Sequence, residues 1–246
     1  MSRTLVFIYA HPDDESFWGA GAAARYTSDG VRVALVMATR GERGTTGTPP
    51  LCSVEELPRV REAELRDAAR AAGFTDLVQL DYVDQQLPQV DGDEIRKALV
   101  ARLRQLRPQV VVTFDPEGAN RHPDHLAISR FTSDAIAAAA DPRWYPGDGE
   151  PHAVSRLLWT PRVMPWEVAA PDLAHRPGVD FVLDTSRWWR QRAEALRAHS
   201  TQRAGIAKLF LNRRDLQQIL SVEVFRQAWG PALRSRPAID VFEGID

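Results

Sequence analysis

The stretch Leu5-Val6-Phe7-Ile8-Tyr9, which runs straight into Ala10-His11-Pro12-Asp13-Asp14-Glu15, decides the fold. The first five residues are apolar without alternation. A run of that length suits a strand buried on both faces, as in a parallel sheet. His11-Pro12 bounds it, and an alanine-rich helical pattern follows from Phe17 to Ser28. That pattern closes at Asp29-Gly30, where glycine takes a left-handed C-cap without steric cost.

The same strand-then-helix unit recurs downstream. Val31 to Met37 reads as a strand, Thr39 to Ser53 as a Gly/Thr/Pro-rich loop, and Arg59 to Ala72 as a helix closed by Gly73. Leu77 to Leu80 is a short strand; Ile95, Leu99, Leu103 and Leu106 then fall at helical spacing until Pro108. Val110 to Phe114 is a second buried-type strand, followed by a loop and a helix from about Pro123 to Ala140. Such alternation predicts right-handed βαβ units in an α/β, Rossmann-like fold, a mainly parallel sheet with helices on both faces. Past a loop over 141–151, Arg156–Thr160 and Phe181–Leu183 read as strands and Ser186–His199 as a helix. Residues 202–246 mix short helix and strand signals without a legible order. The expectation is one domain over residues 1–246: a core over 1–140, then a small mixed α/β extension over 141–246.

Composition removes several function classes. Apolar residues make up 44% and charged residues 26%, enough for an ordinary core. A net charge of −2 gives no electrostatic case for nucleic acid or an anionic membrane. The arginines interleave with acids, as in Arg59 to Asp67, in the pattern of a solvated helix face. Cys52 is the single cysteine, so neither an intrachain disulfide nor a cysteine-based zinc site is available. The N-terminus lacks the apolar stretch of a signal peptide, and no apolar run reaches membrane-spanning length. A cytoplasmic protein with no membrane or nucleic-acid partner is expected.

Chemistry concentrates at two strand ends. His11-Pro12-Asp13-Asp14-Glu15 follows the first strand, and Asp115-Pro116-Glu117-Gly118-Ala119-Asn120-Arg121-His122-Pro123-Asp124-His125 follows Val110–Phe114. Ligands of open α/β sheets gather at the carboxyl ends of strands. Pro123 suits the first helical position, which puts His122 near the N-cap and His125 one turn inside. Catalytic zinc takes three protein ligands from histidine and carboxylate and leaves one position open. Two histidines and one aspartate drawn from these clusters supply that set, and adjacent aspartates leave the chain in different directions, so one can ligate while the other faces the attacking water. The plainer alternative is that the aspartates cap a helix and the histidines belong to turns.

With these residues in place, the chain resembles the LmbE-like (PIG-L-type) family of zinc-dependent N-deacetylases. The resemblance rests on His11-Pro12-Asp13-Asp14-Glu15, Thr39-Arg40-Gly41-Glu42, Arg107-Pro108, Val111-Val112-Thr113-Phe114-Asp115-Pro116, His122-Pro123-Asp124-His125 and Ala198-His199-Ser200-Thr201-Gln202. It implies removal of an acetyl group from an N-acetylglucosamine-type sugar. It also implies His11, Asp14 and His125 as ligands of one Zn2+, with Fe2+, Mn2+ or Co2+ as substitutes. Asp13 matches the general base, and His122 the histidine that stabilises the oxyanion or protonates the leaving amine. Arg61 and Asp84 match positions that hold sugar hydroxyls, and Glu42 sits in the Gly-Glu loop beside them. Some members carry a tyrosine two residues before the first histidine of the second motif. Here Asn120 stands there, whose amide donates a hydrogen bond but cannot act as an acid. Family members often assemble, so self-association is an expectation from the resemblance alone.

Trp18, Trp166, Trp188 and Trp189 are candidate stacking platforms, with Trp18 nearest the first motif. The Gly41–Pro50 loop reads as a rim of the pocket. Rival readings are an amidase on a thiol–sugar conjugate or another N-acyl amino sugar, with a larger acyl group, and a non-catalytic sugar-binding homologue; a metal phosphoesterase fits less well, since it usually wants carboxylates bridging two metals and only one ligand set is legible.

Overall fold

A computed structural model describes residues 3–164, 167–168 and 170–245. Seven strands form one sheet: β1 (Thr4–Tyr9), β2 (Arg32–Thr39), β3 (Asp76–Tyr82), β4 (Val110–Phe114), β5 (Arg156–Thr160), β6 (Phe181–Asp184) and β7 (Val222–Trp229). Their order across the sheet is β3-β2-β1-β4-β5-β7-β6. The first five pair in parallel, with Leu5 opposite both Val33 and Val110. The α/β expectation therefore holds, and the buried apolar run of β1 lies at the centre, every residue from Leu5 to Tyr9 no more than 1% exposed.

Chain direction accounts for the helix layers. From β1 the chain steps outward to β2 and β3 through helices Ala20–Ser28 and Leu57–Ala72. It then returns through Gly92–Leu106 to β4, on the other side of β1, and continues to β5 after Pro123–Ala140. Right-handed crossovers in opposite directions put the two pairs of helices on opposite faces. Helix Trp189–Ala198 packs with the first pair, while Gly92–Leu106 packs with Pro123–Ala140. The reversal occurs between β1 and β4, so their carboxyl ends open a crevice at the switch point.

Two local findings differ from the sequence expectation. The helix after the first motif is broken into Asp14–Trp18 and Ala20–Ser28 at Gly19, where a Cβ would lie 2.9 Å from the Phe7 ring. The second concerns residues 202–246, which supply β7. It inserts between β5 and β6 and runs antiparallel to both. Its Glu223 carboxylate accepts from the backbone N–H groups of Gly21 and Ala22 at 2.9 and 2.7 Å, capping the N-terminus of helix Ala20–Ser28. The last segment is thus fastened to the element that follows the first motif. Among the described residues no helix is long and apolar enough to cross a membrane.

Candidate metal centre

Both His-Pro segments land in the crevice. In the second, His122 is the N-cap of helix Pro123–Ala140, its Nδ1 accepting from the Asp124 N–H at 3.2 Å. His125 sits on the first turn, buried, with its ring stacked on Phe114 at 3.9 Å between centroids. The approach to this helix is tightly coiled: Gly118, Ala119 and Arg121 all have positive φ. At Gly118 a Cβ would lie 2.9 Å from that of His125, so both conformation and space require glycine. In the first segment Asp13 has φ 114°, an unusual backbone for a non-glycine residue, which turns its side chain away from that of Asp14.

The ring orientations identify the donor atoms. His11 Nε2 lies 3.0 Å from Asp124 Oδ2 and 3.1 Å from Asp84 Oδ1, so these carboxylates take its N–H. Its other nitrogen, Nδ1, faces His125 Nε2 at 3.2 Å and Asp14 Oδ2 at 3.6 Å. His125 in turn donates from Nδ1 to the Gly118 carbonyl at 3.1 Å, which leaves Nε2 facing Asp14 Oδ1 at 3.3 Å. Donors about 2.0–2.1 Å from a tetrahedral zinc lie about 3.3–3.4 Å from one another. The observed separations of 3.2–3.6 Å are close to that figure, with Asp14 presenting Oδ2 to His11 and Oδ1 to His125, so two imidazole nitrogens and a carboxylate converge where such an ion could be held. Two further trios, His11-His122-His125 and His11-Asp84-Asp124, have donor atoms within 4.8 Å. The second uses the His11 nitrogen already occupied by its carboxylate partners, and the first ignores the Asp14 carboxylate lodged between both rings.

The charges of the centre hold one another. Burial disfavours the charged form of His11, yet Asp124, Asp14 and Asp84 outweigh it and raise its pKa well above the ordinary value. Burial likewise pushes Asp14 up, but His125 and His11 prevail and hold it well below the carboxylate range. A divalent ion would replace the proton held on His11, so metal uptake should release protons and weaken in acid. Burial lowers His122, helped by repulsion from His11 and His125, which favours its neutral form. With Nδ1 accepting a hydrogen bond, neutral His122 carries its hydrogen on Nε2 and is a donor.

Asp13 stands beside the trio in a different setting. Burial raises its carboxyl to about 6, with Arg61 opposing the rise and Asp14 adding to it. Arg61, expected from the resemblance to meet sugar hydroxyls, is buried and donates to Asp13 Oδ2 at 3.0 Å, to the Gly41 carbonyl at 2.8 Å and to the Pro12 carbonyl. Below Asp13, Glu15 accepts from its backbone N–H at 3.0 Å and from His199 Nε2 at 2.7 Å. His199 belongs to the Ala198–Gln202 segment, and its pKa is raised because Glu15 overcomes burial.

The remaining candidates divide between the two flanks. Asp84 holds His11 and also accepts from Arg43 N–H at 3.0 Å; its own N–H donates to Glu42 Oε1 at 2.8 Å. Glu42 Oε2 is buried with no partner among the described residues. Asn120 is exposed, its carbonyl oxygen accepting from His122 N–H at 3.0 Å. Trp18 meets the His125 ring edge-on at 6.0 Å. Trp166 lies outside the described residues, and Trp189 packs against the helical cluster around Ala193 and Leu196.

Residue types alone did not reveal Asp124, Glu15 and His199 as supporting partners. Asp124 was visible between the two histidines of its motif, but which ring it would hold depends on the fold. Asp124→Asn keeps the side-chain shape and removes the charge behind His11. It is expected to weaken metal affinity about 10–100-fold, read by competition with a chromogenic chelator; unchanged affinity would mean that Asp124 serves only the backbone N–H groups of Gln85 and Leu87.

The family described as PIG-L, GlcNAc-PI de-N-acetylase, matches residues 6–136, which include both motifs. A 1D-myo-inositol 2-acetamido-2-deoxy-alpha-D-glucopyranoside deacetylase of Streptomyces scabiei is 31% identical, the match covering 100% of this chain and 90% of the relative. An enzyme of the same name from Thermobifida fusca is 32% identical over 96% of both chains. The crystal structure of a conserved protein from Thermus thermophilus superimposes with a TM-score of 0.72 and 30% identity, covering 96% of this chain and 100% of that one. Two His-Pro segments at the switch point, a donor trio of the right spacing and relatives matched along nearly the whole chain lead to one assignment: the chain belongs to the PIG-L, GlcNAc-PI de-N-acetylase family.

Proposed function

We propose that this protein hydrolyses the N-acyl amide of an N-acetylglucosamine-type sugar, releasing acetate and the free amine, with one divalent ion held by His11 Nδ1, His125 Nε2 and the Asp14 carboxylate. The observation that carries the reading is the convergence of two imidazole nitrogens and the Asp14 carboxylate at 3.2–3.6 Å, with Asp13, a second carboxyl of different acidity, beside them. Zinc is the ion favoured by two histidines, one carboxylate and no thiolate. When bound, such an ion polarises the amide carbonyl and makes water acidic enough to attack near neutral pH.

The protein's own groups do the rest. Asp13 takes the proton of the attacking water, and its carboxyl near 6 is weak enough an acid to hold that proton and strong enough to return it. The return goes to the nitrogen of the breaking amide, so the amine departs neutral. His122 Nε2–H donates to the oxyanion as charge builds on the carbonyl oxygen. Glu15, held by His199, fixes the Asp13 backbone, and Arg61 fixes its carboxylate. The unpartnered Glu42 oxygen supports a sugar hydroxyl donating there, on the flank held by Asp84.

The test is release of acetate from a panel of N-acetylglucosaminides, including the myo-inositol glycoside, with and without chelator. Chelator-sensitive release is expected; no release from any of them by metal-loaded protein would refute the assignment. The pH profile gives a second check. Asp13 must be ionised, so kcat/KM should fall as pH drops through a limb at or below about 6, a bound cation drawing that limb downward. Arg61 lowers the Asp13 pKa, so Arg61→Met should shift the limb to higher pH while Arg61→Lys holds it; an unmoved limb in the methionine variant would place the titrating group elsewhere.

A further inference from the structure

A cavity of about 180 Å³, open to solvent, adjoins the metal centre. It is smaller than the pockets of about 300–1,000 Å³ that enclose a whole ligand, so it suits one substituent of a substrate. Its walls include Phe17, Trp18, Ala119, Met164, Phe210 and Ile219. It shares its inner wall with the centre: Trp18 also touches the His125 ring, and Ala119 follows Gly118, whose carbonyl holds His125. The charges in its floor are spent internally. Glu223 caps helix Ala20–Ser28 and lies 3.4 Å from Arg192, which also donates to the Phe17 and Val222 carbonyls. Arg162 is exposed at the rim. The outer wall is formed by Leu209 and Phe210, on a π-helical turn Ala207–Leu211, a rare form that recurs at functional sites. Leu209 is an apolar side chain at the mouth, 40% exposed.

The geometry points to this cavity as the seat of an acyl chain longer than acetyl, which makes the protein a deacylase of N-acylated amino sugars carrying a medium-length aliphatic acyl group. The inference rests on the hydrolase reading above and narrows its substrate. The side of the centre bearing Asp84, Glu42 and the Arg43 backbone N–H is polar and matches a sugar; the side bearing Trp18 and Ala119 is apolar. The scissile carbonyl carbon must sit at the metal, and its acyl substituent starts one bond away. An aglycone starts only after the amide nitrogen and two ring carbons. A cavity whose inner wall is built on the supports of His125 therefore receives the acyl group before it could receive an aglycone. Of the other polar side chains in the walls, Thr160 is tied to the Tyr9 hydroxyl at 3.0 Å and Asn120 accepts from His122 N–H at 3.0 Å.

The experiment uses metal-loaded protein and two substrate series: N-acetyl, N-butanoyl, N-hexanoyl and N-octanoyl glucosamine, and methyl to octyl glycosides of N-acetylglucosamine. Free amine is followed for both. Each methylene that leaves water should raise kcat/KM about threefold to fourfold, until the cavity is full. Leu209→Trp and Met164→Trp, at partly exposed wall positions, should abolish the gain for hexanoyl and octanoyl while leaving acetyl hydrolysis unchanged. A flat acyl series, or a gain that follows the glycoside alkyl chain instead, overturns the inference and leaves the deacetylase reading intact. If no substrate of either series turns over, the hydrolase reading fails separately, and calorimetry still decides the cavity's role. Tighter binding of N-octanoyl than N-acetyl glucosamine, removed by Leu209→Trp, supports it; equal affinities overturn it.

Discussion

Asp13→Asn is expected to keep its full complement of metal and lose about 10²–10⁴-fold in kcat, equivalent to about 3–5 kcal/mol of transition-state stabilisation. The contrast follows from where the side chain sits. Its carboxylate meets Arg61 at 3.0 Å and is not among the three donors that face one another, so its loss leaves their spacing untouched. An asparagine oxygen still accepts from Arg61, so the segment should stay folded. What disappears is a group able to take a proton and give it back. Metal content and turnover measured on the same preparation separate the two roles; a variant that hydrolyses at the wild-type rate would show that the base is another residue.

His125→Ala gives the opposite pattern, loss of metal and activity together. Its Nε2 faces both other donors, at 3.2 Å from His11 Nδ1 and 3.3 Å from Asp14 Oδ1. The stacking with Phe114 is lost too, so thermal unfolding should be measured alongside metal content to show that the empty protein still folds. His122→Ala supplies the control, because its ring serves as N-cap and donor and lies outside the assigned trio. It should retain stoichiometric metal with reduced kcat. If His122→Ala loses the ion and Asp14→Ala keeps it, the ligands are the three histidines.

The parts of this arrangement that were legible in sequence are those set by local physics. β4 and helix Pro123–Ala140 begin and end where their residues say, because an unbroken apolar run and a proline at the first helical position each act over a few residues. The two His-Pro segments were legible as chemistry because strand ends at a switch point collect ligands whatever lies between them. Arg61 shows the limit. Its helix was plain, but nothing local says that its guanidinium turns inward to hold Asp13 and two carbonyls. Asp84 and Asp124 are similar, since which carboxylate stands behind His11 depends on the juxtaposition of three loops. The order of residues 202–246 was illegible for a stronger reason: β7 gains its partners only after β5 and β6 exist, and its own pattern does not say where it inserts.

The clasp between Glu223 and helix Ala20–Ser28 also bears on the order of events during synthesis. All three proposed metal donors have been polymerised by residue 125, whereas the carboxylate that steadies the helix behind the first of them comes nearly a hundred residues later. At about 5–20 residues per second, the ribosome leaves an interval of roughly 5–20 s. During it the nascent chain can chelate an ion before its sheet is complete. Folding of the centre is therefore expected to finish only once Glu223 has emerged, and a growing chain supplied with zinc in that window would compact earlier than one made without it.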